Sequence, residues 1–246
     1  MWSKIVYLEE KAVIRSINKI KKLKNYFIII TLFYFIWILF GGNLKQIYMI
    51  WNIILAWVPL EIAMLIYNFT SSRIKKKSKK VIILMLGIIW LLFYPNSPYI
   101  TTDFIHLSTN KYYFSNPDYK LYSNVPPIIY NEDVSIWLDF INIGIGVLIG
   151  CIVGFLSLYI NQSMVKKYYN KFLSWIFVIS VNLLSGFAIY LGRFIRWNSW
   201  DVILNPKSLM IILFNHVNNQ SLYYTIIFGV FSFMLYLIIY LIIDVN

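Results

Sequence analysis

The chain has 246 residues, of which 60% are apolar and only 13% charged, and it carries a formal net charge of +12. Soluble domains average about 45–50% apolar and 25% charged residues, so the composition excludes a water-solvated globule and points to a bilayer. The positive charge does not signal nucleic acid, because the lysines and arginines stand in short blocks between apolar runs and form no single basic face.

Apolar runs of the length that a hydrocarbon core demands predict helices at about 26–42, 46–69, 80–94, 134–160, 172–192 and 221–243, an all-α polytopic bundle of six transmembrane helices. Outside these runs, sixteen lysines and arginines fall in the regions on the N-terminal side of the membrane and six in the alternate regions. The positive-inside rule therefore predicts both termini and loops 70–79 and 161–171 in the cytoplasm. The chain divides into a basic cytoplasmic segment, 1–25, and a transmembrane domain, 26–246. In the first, Ile5, Leu8, Ala12, Val13, Ile17 and Ile20 recur at helical spacing among lysines, which describes an amphipathic helix against an anionic leaflet or a simple topology anchor. No small-x-small cleavage signal follows the first run, so an uncleaved first helix is expected. The wealth of Ile, Lys, Asn and Tyr fits a low-GC bacterium, whose plasma membrane would be the location.

The second run holds Pro59 and then Glu61, a carboxyl that must face the bundle or the headgroups. The third ends at FYPNSPY, 93–99, where two prolines bracket Asn96 and Ser97; a backbone broken near membrane depth needs protein or a watery cavity around it. Ser97 reads as an N-cap and Pro98 as the first residue of a short helix, ITTDFIHL, with Asp103 and His106 on one face. Residues 108–133 are rich in tyrosine and read as an interfacial loop or a lid. The fourth run carries Asp139 near its outer end and a stripe of Gly144, Gly146, Gly150 and Gly154 suited to close helix packing. Cys151 stands alone, so no intrachain disulfide or cysteine-based metal site is available.

The fifth run contains Asn182 and Ser185 and enters GRFIRWNSWD, 192–201. If the helix continues through 201, Arg193, Arg196, Trp197 and Trp200 share a stripe, and Asp201 lies one turn beyond Trp197. Asn205 and Pro206 then open an interfacial helix with Leu209, Ile212, Leu213 and His216 on one side.

The strings NIILAWVPLEIA (52–63), LFYPNSPYITTDFIHL (92–107) and YLGRFIRWNSWDVILNP (190–206) resemble the signature blocks of a family of bacterial membrane proteins, domain-of-unknown-function family 1361. The likeness spans about residues 45 to 210. It implies a polytopic membrane fold and supplies no mechanism. Glu61 departs from the apolar run that the family carries after Pro59, which weakens any shared role for it.

Charge topology puts the second and third strings on one side of the membrane, outside the cytoplasm. Asp103, His106 and Asp201 are the candidate catalytic groups, with His106 a general base oriented by an aspartate. Arg193, Arg196, Asn198, Trp197, Trp200, Asn96 and Asp139 are the candidate substrate-binding groups, the arginines suited to phosphate or carboxylate. Ser97 or Ser199 would complete a Ser–His–Asp set, but no Gly-x-Ser-x-Gly elbow accompanies either. One histidine with carboxylates falls short of a metal-ligand pattern, so neither metal nor cofactor is expected.

Three readings follow: an enzyme acting on a lipid, lipoprotein or lipid-linked anionic substrate at the outer leaflet; a small-molecule binding or transport protein resembling the binding subunit of an importer; and a structural protein that binds another membrane protein. Membrane lipid is the partner common to all three, with an anionic headgroup or a small molecule as candidate ligand. An internal ion-pair network tying Arg193 or Arg196 to Asp103, Asp139 or Asp201 is the plain structural alternative.

Overall fold

The computed structural model describes residues 2–41, 44–71, 76–197, 201–205, 207, 211 and 216–244, with side chains described from Val13 onward except at 71, 76, 202, 203 and 244. Six helices within it are long and apolar enough to cross a membrane, and there is no sheet core. In chain order they are α1 (Trp2–Phe40), α2 (Ile47–Ser71), α3 (Lys76–Phe93), α5 (Val134–Tyr168), α6 (Lys171–Tyr190) and α8 (Asn219–Asp244). Between them lie the short α4 (Asn96–Tyr99), which runs on as a 3₁₀ helix over Ile100–Thr109, and the four-residue α7 (Asp201–Leu204).

The first helix starts far earlier than the apolar run alone predicts. Its amphipathic stretch is continuous with the span, and Ile17 and Ile20 are fully buried. Their spacing of three points that stripe at the bundle, where Ser16 meets the Tyr159 hydroxyl of α5 at 3.4 Å. Lys24, on the same helix, closes on the half-exposed Glu61 of α2 at 2.6 Å, so the Glu61 carboxylate is paired with a cation.

The hub is α5. In its most apolar stretch 78% of residues are buried, against 17–50% for the other spans. It also runs to Tyr168, well past the residue at which its hydrophobicity fades. Three of its glycines explain the close approach of neighbours. A methyl on Gly146 would strike Met49 and the Tyr34 hydroxyl, on Gly150 it would strike Ile100, and on Gly154 it would meet Ser97 at 2.1 Å. Gly144 faces open space and lies off this stripe.

A second small-residue contact joins α6 to α8. A Cβ on Gly186 would sit 2.2 Å from the Thr225 carbonyl oxygen and 2.7 Å from the Gly229 nitrogen, so the two backbones touch. Beside it Ser232 donates to the Asn182 side-chain oxygen at 2.6 Å, which gives the mid-span asparagine its partner. Large apolar side chains such as Phe33, Leu84, Leu148, Leu184 and Ile227 project outward along the spans, as lipid-facing surfaces do.

The tyrosine-rich connection is built around a two-stranded antiparallel ribbon, β1 (Tyr113–Ser115) with β2 (Ile128–Tyr130), Phe114 opposite Ile129. Its base is fastened to α5: Trp137 donates to the Asn131 carbonyl at 3.0 Å and packs edge-on against Tyr112. Asp133 caps α5 by accepting the Ser135 N–H at 2.9 Å, and this bond holds its carboxyl below the usual aspartate range.

Candidate functional site

The helix break at Tyr94–Pro95 positions the first half of the site. Ser97 does not cap the following helix as its sequence context predicts. α4 already starts at Asn96 behind Pro95, and the Ser97 hydroxyl is fully buried, donating to the Ala56 carbonyl of α2 at 3.3 Å. Gly154 leaves the room for it. Its hydroxyl is thus taken up in the packing of α4 against α2. Asn96 donates to the Phe93 carbonyl at 2.8 Å, closing the break on itself.

The 3₁₀ geometry of 100–109 matters because residues three apart eclipse one another. Asp103, 2% exposed, and His106, on the open side, therefore stand one above the other with Nε2 3.8 Å from Oδ1. The second oxygen of Asp103 accepts the Asn52 amide of α2 at 2.7 Å. Arg193 approaches Oδ1 at 3.4 Å, donates also to the Thr102 carbonyl, and lies over the Tyr99 ring at 5.6 Å. One buried carboxylate thus gathers a residue from each of the three sequence blocks. The His106 ring rests on Tyr48, with centroids 4.8 Å apart.

The second half of the motif departs from a straight helix. After Tyr190 the chain makes a π-helical turn, Leu191–Ile195, and Arg196 closes it in the left-handed region at φ 60°. Its N–H returns to the Leu191 carbonyl. A π turn and a left-handed arginine both cost free energy, about 1–2 kcal/mol for the latter, and such costs gather at functional positions. They also break, for Arg193 and Arg196, the single stripe expected of Arg193, Arg196, Trp197 and Trp200. Arg193 is drawn inward to Asp103, whereas Arg196 is exposed and makes no ion pair among the described residues. Trp197 follows, half-buried, its N–H donating to Leu191. Asn198, Ser199 and Trp200 lie outside the described residues, as do Pro206 and most of the interfacial helix expected after it.

Asp201 begins α7 and is half-buried, but it is not among the described partners of Asp103, His106 or Arg193. The carboxylate described nearest to His106 is Asp103. Asp139 belongs to a neighbouring network, accepting Gln46 at 2.9 Å and Asn110 at 3.2 Å. Tyr48 stands between the two networks and feels the charges of Asp103, Arg193 and Asp139.

Several polar atoms here are buried without a hydrogen-bond partner among the described residues: the Tyr48 and Tyr112 hydroxyls, Gln46 Oε1 and Arg193 Nε. Asn52, Tyr48 and Tyr99 are site residues that the motifs alone did not single out. Asn52 opens the first of the three quoted blocks and shares that greasy stretch with one other polar residue, Glu61, so its polarity was visible but its partner was not. Chemically, the arrangement offers an accessible imidazole held against a buried carboxylate, and an exposed arginine beside an interfacial tryptophan.

No curated protein and no solved structure matches the chain. The model of a family described as protein of unknown function, DUF1361, matches residues 51–235, about three quarters of the length and including Asn52, Asp103, His106 and Arg193. A match of that extent settles membership: the chain is a multi-pass membrane protein of the DUF1361 family.

Proposed function

We propose that this protein is a membrane-embedded enzyme acting on a lipid or lipid-linked anionic substrate, with His106 as general acid–base and Asp103 as the group that orients it. The observation that carries this reading is the His106–Asp103 pair itself. Its carboxylate is buried and fixed by Asn52 and Arg193, while the imidazole remains open to a ligand. Arg196, exposed and unengaged among the described residues, supplies the charge that would hold a phosphate or carboxylate at headgroup depth. The asymmetry of basic residues supports placing this end outside the cytoplasm, at the outer leaflet of a bacterial plasma membrane.

The test is lipid conversion. Reconstituted protein incubated with total membrane lipid, followed by mass spectrometry, should change the abundance of at least one anionic lipid or lipid-linked species. His106→Ala, verified as folded, should lower that conversion at least about a hundredfold, the usual worth of a general acid–base, and Arg196→Ala should lower it by weakening substrate binding. Full turnover by both variants would remove these residues from the chemistry.

A second reading has its own support. Both described bonds of the Arg193 guanidinium end inside the chain, on Thr102 and Asp103, which is what a purely internal clamp does. Under that reading His106→Ala leaves every lipid species and every bound ligand unchanged.

A further inference from the structure

At the opposite end of the bundle, α1, α5, α6 and α8 enclose an open-sided cleft of about 80 Å³ whose lining includes Ser16, Gln162, Ser163, Lys166, Lys171 and Trp175. Gln162 lies ~35 Å along α5 from Asp139 at 1.5 Å per residue, so this cleft is separate from the Asp103 site. Its polar groups are an amide, hydroxyls and ammoniums, each able to donate a hydrogen bond. Gln162 is 3% exposed; its amide oxygen accepts the Tyr236 hydroxyl, which leaves its NH₂ group for the cleft. Ser163 is 8% exposed and its hydroxyl has no hydrogen-bond partner among the described residues. Lys166 and Lys171 stand at the rim, neither in an ion pair among the described residues, and no described lining residue is acidic.

The backbone adds to the same sign. α6 begins at Lys171, so its positive end opens beside the cleft. Trp175 forms an aromatic wall, packed on Tyr240 at 4.8 Å and on Phe233 at 6.4 Å. A lysine flank that merely orients helices has no need of buried donors behind it. Two such donors, in residues more than nine-tenths buried and facing a basic opening, suit an acceptor with several oxygens.

We propose that this cleft is a phosphate-binding site, filled by the headgroup of an anionic lipid or by a soluble phosphate compound. Native mass spectrometry of the detergent-purified full chain tests it, with phosphatidylglycerol as probe, phosphatidylcholine as competitor and inorganic phosphate as the soluble arm. Wild type should retain phosphatidylglycerol over phosphatidylcholine. Lys166→Gln/Lys171→Gln should reduce that retention about tenfold or more, each surface cation contributing on the order of 1 kcal/mol. Ser163→Ala should reduce it about threefold, the worth of one hydrogen bond. The pair Lys111→Gln/Lys120→Gln, at the other end, should leave it unchanged.

Displacement of the lipid by millimolar phosphate identifies a soluble ligand, and resistance to it identifies the headgroup; either result supports the site. Equal loss from both lysine pairs, or a loss from Lys166→Gln/Lys171→Gln with none from Ser163→Ala, would reduce the effect to diffuse surface charge and overturn the proposal. So would the absence of any preference for phosphatidylglycerol. Thermal unfolding of each variant separates loss of binding from loss of fold.

Discussion

Asp103 is where single residues decide most. A carboxylate at 2% exposure survives because Asn52, Arg193 and His106 surround it, and withdrawing the guanidinium leaves it uncompensated. Breaking such a pair from one side costs about 3–5 kcal/mol. Arg193→Met should therefore lower the midpoint of thermal unfolding in detergent markedly, and Arg193→Met/Asp103→Asn should recover much of it. Asp133 offers a smaller effect with a definite sign. Its folded carboxyl titrates below the ordinary value because the ionised form accepts the Ser135 N–H. The contribution is thus fully present above the ordinary aspartate value of about 4 and fades as pH falls through the lower folded value. In circular-dichroism melts, Asp133→Asn, which still caps, should lack this acid-side component and otherwise behave as wild type.

Among elements, the contact of α6 with α8 is the most vulnerable, because what lies against Gly186 is backbone and has no rotamer to yield. Gly186→Val should destabilise by about 1–3 kcal/mol through overpacking and should part the two helices. Loss of a disulfide formed between engineered cysteines across that contact would report it. The spans themselves were legible in the sequence, since length and hydropathy suffice for α2, α3, α6 and α8 to within a few residues. Three things were hidden. The amphipathic helix before the first apolar run was legible, but that its Ile17 and Ile20 pack on the bundle is a tertiary fact. α6 ends in a π turn at Leu191–Ile195, and no local propensity announces an added residue per turn. Gly186 is one glycine in α6 and Gly229 one in α8, so no stripe within either helix betrays their pairing. The site was half legible: Asp103, His106 and Arg193 stood out as polar groups in greasy surroundings, whereas Asn52 and Tyr48 acquire meaning only once α2 is laid against the broken helix.

At the level of the whole molecule, α5 fixes two polar regions at a separation comparable with a ~30 Å hydrocarbon core. The proposed orientation gives each a compartment. Cys151 is buried, so a Cys151→Ser background with Tyr122→Cys, at 99% exposure, or Tyr169→Cys, at 73%, places a reporter thiol at either end. A membrane-impermeant maleimide should modify the Tyr122→Cys protein in intact cells and the Tyr169→Cys protein only after permeabilisation. The reverse pattern would invert the topology and move the proposed enzyme to the cytoplasmic leaflet.

The π turn after Tyr190 carries one further implication. Successive residues of an α-helix are separated by about 100° of azimuth, so an extra residue in a single turn resets the phase of everything beyond it. Arg193 reaches Asp103 from within that reset, with Gly192 before it lying 3.1 Å, at a notional Cβ, from the Tyr99 ring. Excising Gly192 would conserve every reactive group in the chain and yet swing the guanidinium about a quarter-circle away from its carboxylate. The junction between the three blocks is a matter of angular timing along one strand of covalent bonds, which a comparison of side-chain inventories cannot see.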